Sequence, residues 1–191
     1  MAAPSQFFDP FYTHLAQGGA GDGLNSEQPG KNLELPVCGQ GTIAVRANAN
    51  DLLHIKIHTS LLGATTFNLL LGPSDWDIYY EGPEGRLSLK PYALINKSEK
   101  DCWLSVSKEP TIYWLSIDKN NGMLRYGKWY TNTSMILVQV SLKHLDPDPA
   151  GKSMVWNNPQ RDAFIEKLKG VTVMANKETL TVSLSAATSL C

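Results

Sequence analysis

Tyr113 to Val140 reads YWLSIDKNNGMLRYGKWYTNTSMILVQV, and its punctuation decides the fold. The apolar stretch Tyr113–Ile117 runs into Asp118-Lys-Asn-Asn-Gly122, and an aromatic-rich stretch follows to Tyr130. A polar break comes next, and then a nearly continuous apolar run from Met135 to Leu142. Asn121-Gly122 between two strand-like runs is the chemistry of a tight hairpin or bulge, because glycine takes positive φ without steric cost. The stretch predicts a three-strand antiparallel meander. Its last apolar run suits a strand covered on both sides or lying at the centre of a sheet.

Working upstream, Leu53-His-Ile-Lys-Ile-His58 alternates with a period of two, burying Leu53, Ile55 and Ile57 and turning His54, Lys56 and His58 to the other face. Thr42–Ala47 alternates likewise, with Asn48–Asp51 as the turn between the two. Thr66–Leu71 is a strand stopped by Gly72-Pro73, and Trp76, Ile78 and Tyr80 alternate through the next. Glu81–Gly85 is a turn, after which Leu87 and Leu89 continue the pattern. Cys102–Val106 and Ile112–Ile117 extend the series.

Downstream, Asn158 and Pro159 offer the cap and first position of a helix through Lys169, with Phe164, Ile165 and Leu168 on one side and Gly170 as its terminator. Val171–Val173 and Leu180–Leu184 are strands joined by a turn around Asn176. About ten strands at this spacing predict an all-β fold, an antiparallel two-sheet sandwich or jelly roll with one short C-terminal helix. Residues 1–41 form an N-terminal arm in which Phe7, Phe8, Phe11 and Tyr12 tie the chain to the core. Gly18–Asn32 is a glycine-rich loop within that arm, and 42–191 are the β-sandwich domain.

A chain of 191 residues, 42% hydrophobic and 18% charged, has enough apolar material for one substantial core. A formal net charge of -1 supplies no general attraction to nucleic acid or anionic lipid. No apolar run approaches the roughly 20 residues of a membrane span. The N-terminus lacks the basic start and long apolar segment of a secretory signal. Three cysteines, Cys38, Cys102 and Cys191, in no dense pattern favour reduced thiols and a cytoplasmic location. Cys102 reads as a core residue and the terminal Cys191 as a reactive one. Asn96-Lys-Ser98 and Asn132-Thr-Ser134 match the glycosylation sequon and, without a signal, read as chance matches in turns.

Four candidate sites emerge. His54 and His58 share a strand face but stand about 13 Å apart, too far to hold one metal ion together. Asp75 and Asp77 flank Trp76 on one side of an extended segment, about 6 to 7 Å apart, a spacing open to acid/base work, to turn bonding or to ligand contacts. Asp118–Gly122 alternates oxygen ligands like a short calcium loop, yet lacks the closing glutamate, and is read as a hairpin turn. Arg125, Lys128, Trp129 and Tyr130 together could bind an anion or stack on a planar or sugar face. Alternatively, Tyr126 and Trp129 complete the core while Arg125 and Lys128 cover an exposed face.

Trp76, Tyr79, Tyr80, Trp103, Tyr113, Trp114, Tyr126, Trp129, Tyr130 and Trp156 recur throughout the proposed sandwich. Alternation sets Tyr79 against Tyr80 and Trp129 against Tyr130, so both members of a pair cannot enter one core. The sequence contains no P-loop, dinucleotide fingerprint, HExxH or Gly-x-Ser-x-Gly element. No cofactor and no metal are expected.

VRANANDLLHIKI, FNLLLGPSDW and YWLSIDKNNGMLRYGKW carry Ala47, Asp51, Gly72, Trp76, Trp114, Gly122 and Gly127. In these pieces residues 42–140 resemble the β domain named after farnesoic acid O-methyltransferase. Pro73 stands where that family often has a second glycine, and the spacing departs from the usual form near Asn48–Asp51 and Asp118–Gly122. The resemblance implies a β-sandwich used as an accessory module. The methyl transfer in the family's name has no nucleotide-cofactor motif here to support it.

These features point first to a module binding a small organic or carbohydrate-like ligand in an aromatic-lined groove. Trp76, Tyr80, Trp129 and Tyr130 would supply its faces, and Arg125, Asp75 and Asp77 would orient polar groups. Two alternatives stay open. One is a cofactor-independent isomerase, cyclase or lyase using His54, His58, Asp75 or Asp77. The other is a structural protein that self-assembles through exposed aromatics and strand edges into a homo-oligomer.

Overall fold

Leu53, Ile55 and Ile57 are buried while His54, Lys56 and His58 stay half-exposed, so one strand already defines an inside and an outside. The computed structural model describes residues 22–25, 33–47, 52–59, 65–82, 85–105, 111–130, 133–142, 163–175, 179–186 and 188; at 22–25, 130, 133–134, 179–181 and 183 only the backbone is described. Among these residues the strands are β1 (Asp22–Asn25), β2 (Leu33–Glu34), β3 (Gln40–Ala47), β4 (Leu53–Thr59), β5 (Thr66–Leu71), β6 (Trp76–Gly82) and β7 (Gly85–Ser88). They continue with β8 (Ala93–Ile95), β9 (Thr111–Asp118), β10 (Met123–Tyr130), β11 (Thr133–Ser141), β12 (Leu168–Ala175) and β13 (Thr179–Ser185).

Hydrogen bonding orders them into a seven-stranded sheet, β1-β13-β3-β9-β10-β11-β8, and a six-stranded sheet, β2-β12-β4-β5-β6-β7. Every pairing is antiparallel. The β9–β10–β11 meander is the one expected, with Gly122 at φ 60 in its first turn. Inward residues of both sheets merge into one core. Ile43, Val45, Tyr113, Leu115, Ile117, Leu124 and Tyr126 come from one sheet, and Ile55, Ile57, Phe67, Leu69, Ile78, Val171 and Val173 from the other. Each such side chain contributes roughly 1.5–3 kcal/mol of burial, set against the entropy of ordering it. The protein is an antiparallel two-sheet β-sandwich.

Four local expectations are corrected. Asp22–Asn25, expected within a loop, pairs with Thr179–Val182, satisfying backbone groups that the β13 edge would otherwise leave open. The first long strand starts at Gln40 rather than Thr42. Cys102 ends a 3-10 turn, Glu99–Cys102, instead of opening a strand. The cause is a capping box: the Ser98 side chain meets the Asp101 backbone, and the Asp101 carboxylate reaches back to the Ser98 amide. Helix is described at 163–165 only, and Leu168–Gly170 belong to β12. There the Leu168 and Lys169 carbonyls accept from the Gly39 and Leu35 amides, which draws the chain into the sheet.

Phe7, Phe8, Phe11, Tyr12, the Asn48–Asp51 turn, Asn132, Trp156, Asn158, Pro159, the turn at Asn176, and Cys191 lie outside the described residues, as does the Tyr130 side chain. Of the other cysteines, Cys38 is exposed and Cys102 buried, each as a free thiol. No described helix is long and apolar enough to cross a membrane.

Candidate binding face on the seven-stranded sheet

Tyr113, Leu115 and Ile117 point into the sandwich, so Ile112, Trp114, Ser116 and Asp118 take the opposite face of β9. The pairing register fixes their neighbours. Ser116 stands between Thr42 of β3 and Arg125 of β10, and Arg125 stands beside Gln139 of β11. One level along, Trp114 lies between Ala44 and Gly127, with Ile136 beyond. At the next level Ile112 lies between Arg46 and Trp129. The face therefore carries a polar row beside a small apolar cluster of Ala44, Ile112 and Trp114, with Trp129 and Ile136 packed against it.

Two local devices build this surface. Between Tyr126 and Gly127 the β10–β11 register shifts by one residue, a bulge whose Ile136 and Leu137 carbonyls are taken by the Asn96 side chain and amide. Gly127 has no side chain, and the Trp114 indole occupies the space a Cβ would need. At the end of the row, Asp118 Oδ1 accepts the Asn120 and Asn121 amides at 3.1 and 3.2 Å, and Oδ2 accepts Asn121 Nδ2 at 2.7 Å. That use of its oxygens explains why Asp118-Lys-Asn-Asn-Gly122 is a turn and not a cation loop.

Arg125 Nε donates to Gln139 Oε1 at 3.2 Å, and Nη1 lies 4.0 Å from Asp118 Oδ2. Arg125, Gln139 and Trp129 keep partial exposure, whereas Ser116 and Trp114 are sealed at 0%. The Trp114 Nε1 and Ser116 Oγ atoms are buried and have no hydrogen-bond partner. They occupy alternate positions of one strand face, about 7 Å apart. Buried polar groups left unpaired are rare and costly, about 1–3 kcal/mol each, so two side by side call for a physical reason.

The other expected residues go elsewhere. Trp76 and Tyr80 belong to the core, which corrects their assignment to an open groove. Tyr80 forms an aromatic triangle with Phe67 and Phe164, at centroid distances of 5.9 Å to each, and Phe67 lies 5.6 Å from Phe164. Trp76 lies under Lys90 Nζ, 4.8 Å from the ring, and its Nε1 donates to Glu99 at 3.4 Å. Asp75 is exposed, with Oδ1 accepting the Trp76 amide, so it acts as a turn residue. Arg125 and Trp129 share the face described above, while Asp77 is on the other sheet.

Lys128, expected on an exposed face, is buried. Its Nζ donates to the Trp103 carbonyl, lies 3.4 Å from Ser105 Oγ and sits 5.6 Å from the Tyr113 ring centroid. Burial pushes its pKa down to about 8 and pushes the neighbouring Cys102 thiol up to about 11, leaving that thiol unreactive at neutral pH.

On the six-stranded sheet His54 Nε2 meets Asn68 Oδ1 at 2.9 Å, and Asn68 Nδ2 donates to Thr66 at 2.7 Å. Burial lowers the His54 pKa, opposed by the Asn68 bond. His58 contacts Thr172 Oγ1 at 3.2 Å. Arg86 stacks 3.6 Å over Tyr79 and bonds Asp77 at 2.7 Å, which also accepts from Ser88 at 2.8 Å. His54 and Asp77 stand two strands apart with Leu70 between them. These polar groups bond to one another and do not converge on a shared reacting position. Among the described residues no three His, Cys, Asp or Glu side chains come together as metal ligands.

Of the residues on this face, Arg125 and Trp129 stand out in the sequence as candidates, while Ser116, Trp114, Thr42 and Gln139 do not. The signal was present: counting outward from the Asn121-Gly122 turn puts Ser116 opposite Arg125 and Trp114 opposite Gly127.

No protein-family model matches the chain, and no curated protein sequence matches it. Among solved structures it is similar to the TRIM65 PSpry domain, at TM-score 0.39 and 10% identity over 82% of this chain and 67% of that one. It is also similar to the CBM40 of a Ruminococcus gnavus IT-sialidase. With alpha2,3 sialyllactose bound, the values are TM-score 0.42 and 12% identity over 84% of this chain and 88% of that one. With alpha2,6 sialyllactose bound, they are 0.39 and 15% over 85% of each. At such identities no ligand-contacting residue is carried over from those proteins.

Proposed function

We propose that this protein is a small-ligand-binding β-sandwich module, of the carbohydrate-binding kind, whose recognition surface is the outer face of the seven-stranded sheet. The observation that carries the reading is the pair of buried, unpartnered groups Trp114 Nε1 and Ser116 Oγ, set beside Arg125. Both atoms are sealed from solvent, so a polar molecule reaches them only by displacing what covers them; once seated it supplies the hydrogen bonds they lack, and the Trp129 ring offers it an apolar flank. The half-exposed Arg125, Gln139 and Trp129 form the side from which a ligand enters. The likeness of residues 42–140 to the farnesoic acid O-methyltransferase-type domain is carried within the same proposal, as an accessory binding module and not as a catalyst of methyl transfer.

The alternatives have less support. Among the described residues the acid/base candidates do not converge, since His54 and Asp77 are each held in separate polar contacts. Strand-edge assembly would use β1, β8, β2 and β7, which are only 4, 3, 2 and 4 residues long, and short edges limit such pairing.

A panel of glycans and small organic acids, followed by intrinsic tryptophan fluorescence of the full chain, tests the proposal. A saturable response is expected, lost in Arg125→Ala and Trp129→Ala and kept in Lys56→Ala on the opposite sheet. A response that depends on Lys56 and ignores Arg125 would place binding elsewhere.

A further inference from the structure

Donors and acceptors on this face do not balance. The Asp118 oxygens are occupied by the turn groups of Asn120 and Asn121, and Gln139 Oε1 is occupied by Arg125 Nε. Each group that remains uncommitted can donate. Trp114 Nε1 is a donor only and has no partner; Ser116 Oγ has none either and can donate. The Gln139 amide nitrogen carries two N–H groups. Among the described residues, Nη1 is the Arg125 terminal nitrogen that approaches an acid, at 4.0 Å, beyond hydrogen-bond length.

Resting on the binding reading above, we propose that the ligand of this face carries a carboxylate, as a sugar acid does, seated between Arg125 and Ser116. These two residues are directly opposite each other in the β9–β10 register, so one carboxylate spans both. The guanidinium fork matches a planar carboxylate, with two parallel N–H bonds to its two oxygens. Ser116 Oγ donates a third bond, and Trp114 Nε1 meets an oxygen on the ring of the same molecule. Arg125 is the cation at the level of Ser116, already near Asp118, while Arg46 on the same face stands two register levels away beside Ile112, so a monoanion suits this seat better than a phosphate dianion. A neutral sugar leaves the guanidinium with only Asp118, at 4.0 Å, as a charged neighbour among the described residues.

Binding of D-glucuronate, D-glucose and inorganic phosphate to the full chain, read by tryptophan fluorescence, tests this. Glucuronate is expected to bind at least tenfold more tightly than glucose or phosphate. Arg125→Gln should cost glucuronate at least tenfold more than it costs glucose, and Ser116→Ala should cost glucuronate several-fold. Glucose binding as tightly as glucuronate, with both lost in Trp129→Ala, would overturn the carboxylate and leave the binding face standing. Phosphate binding as tightly as glucuronate would overturn the planar-anion assignment. If none of the three binds, the carboxylate inference fails, and the binding face fails with it when the wider panel is also silent.

Discussion

The indole of Trp114 lies across Gly127, its neighbour in the β9–β10 pairing, so that a Cβ at 127 would overlap two carbons of the ring and the Met135 carbonyl oxygen. Gly127→Ala must therefore displace either the ring or the β11 backbone, an overpacking cost of about 1–3 kcal/mol. Chemical denaturation should show that loss, with a changed near-ultraviolet circular dichroism signal from the tryptophans. Unchanged stability would mean that the ring is not held over the glycine.

Ser116→Ala should act against the usual direction. Removing a hydroxyl that is buried without a partner relieves a desolvation cost, so the ligand-free variant should gain about 1 kcal/mol or stay equal to the parent. Urea denaturation of ligand-free protein measures it. A loss of stability would show that the hydroxyl is bonded in solution.

Tyr80 and Trp129 should separate stability from binding. Tyr80→Ala opens a hole beside Phe67 and Phe164 and should lose about 3–5 kcal/mol, the range for truncating a large buried aromatic. Any molecules still folded should bind ligand normally. Trp129→Ala on the outer face should lose binding at a smaller cost in stability, which thermal melts and titrations together would reveal.

Lys128 gives a pH dependence with a definite sign. Its pKa is about 8 in the folded protein against an ordinary 10.5, so between those values the unfolded chain holds a proton that the folded protein has released. The unfolded state binds more protons, and folding stability rises with pH across that window. The effect is absent in Lys128→Met, so the parent's stability minus the variant's should climb between pH 8 and 10.5. A flat difference would place the Lys128 amine in water.

Asp118→Ala removes the acceptor of the Asn120 and Asn121 amides and of Asn121 Nδ2. A cost of about 1–3 kcal/mol is expected, with faster amide exchange at the turn and Asp118→Asn recovering part of it. Full stability in the alanine variant would contradict the role given to this carboxylate.

The layout of the sheets was legible because alternation is a local signal: Leu53–His58 and Tyr113–Ile117 display their two faces without reference to any partner. Asp22–Asn25 and Leu168–Gly170 were not, because their strand state comes from pairing with distant segments and overrides glycine-rich or helical local preference. The site was half legible. Arg125 and Trp129 stand out by residue type, whereas Ser116 matters through what it fails to touch, which no sequence pattern records. Trp76 and Tyr80 misled for the complementary reason: aromatic side chains announce binding and burial alike, and the strand face decides between them.

The most direct measurement is the indole N–H resonance of each tryptophan, followed by ¹⁵N NMR through a D-glucuronate titration of the full chain. Trp114 Nε1, unpartnered without ligand, should shift saturably, while Trp76 Nε1, already bonded to Glu99, should hold still. A Trp114 signal that stays fixed while glucuronate binds would contradict the assignment of this sheet face as the recognition surface.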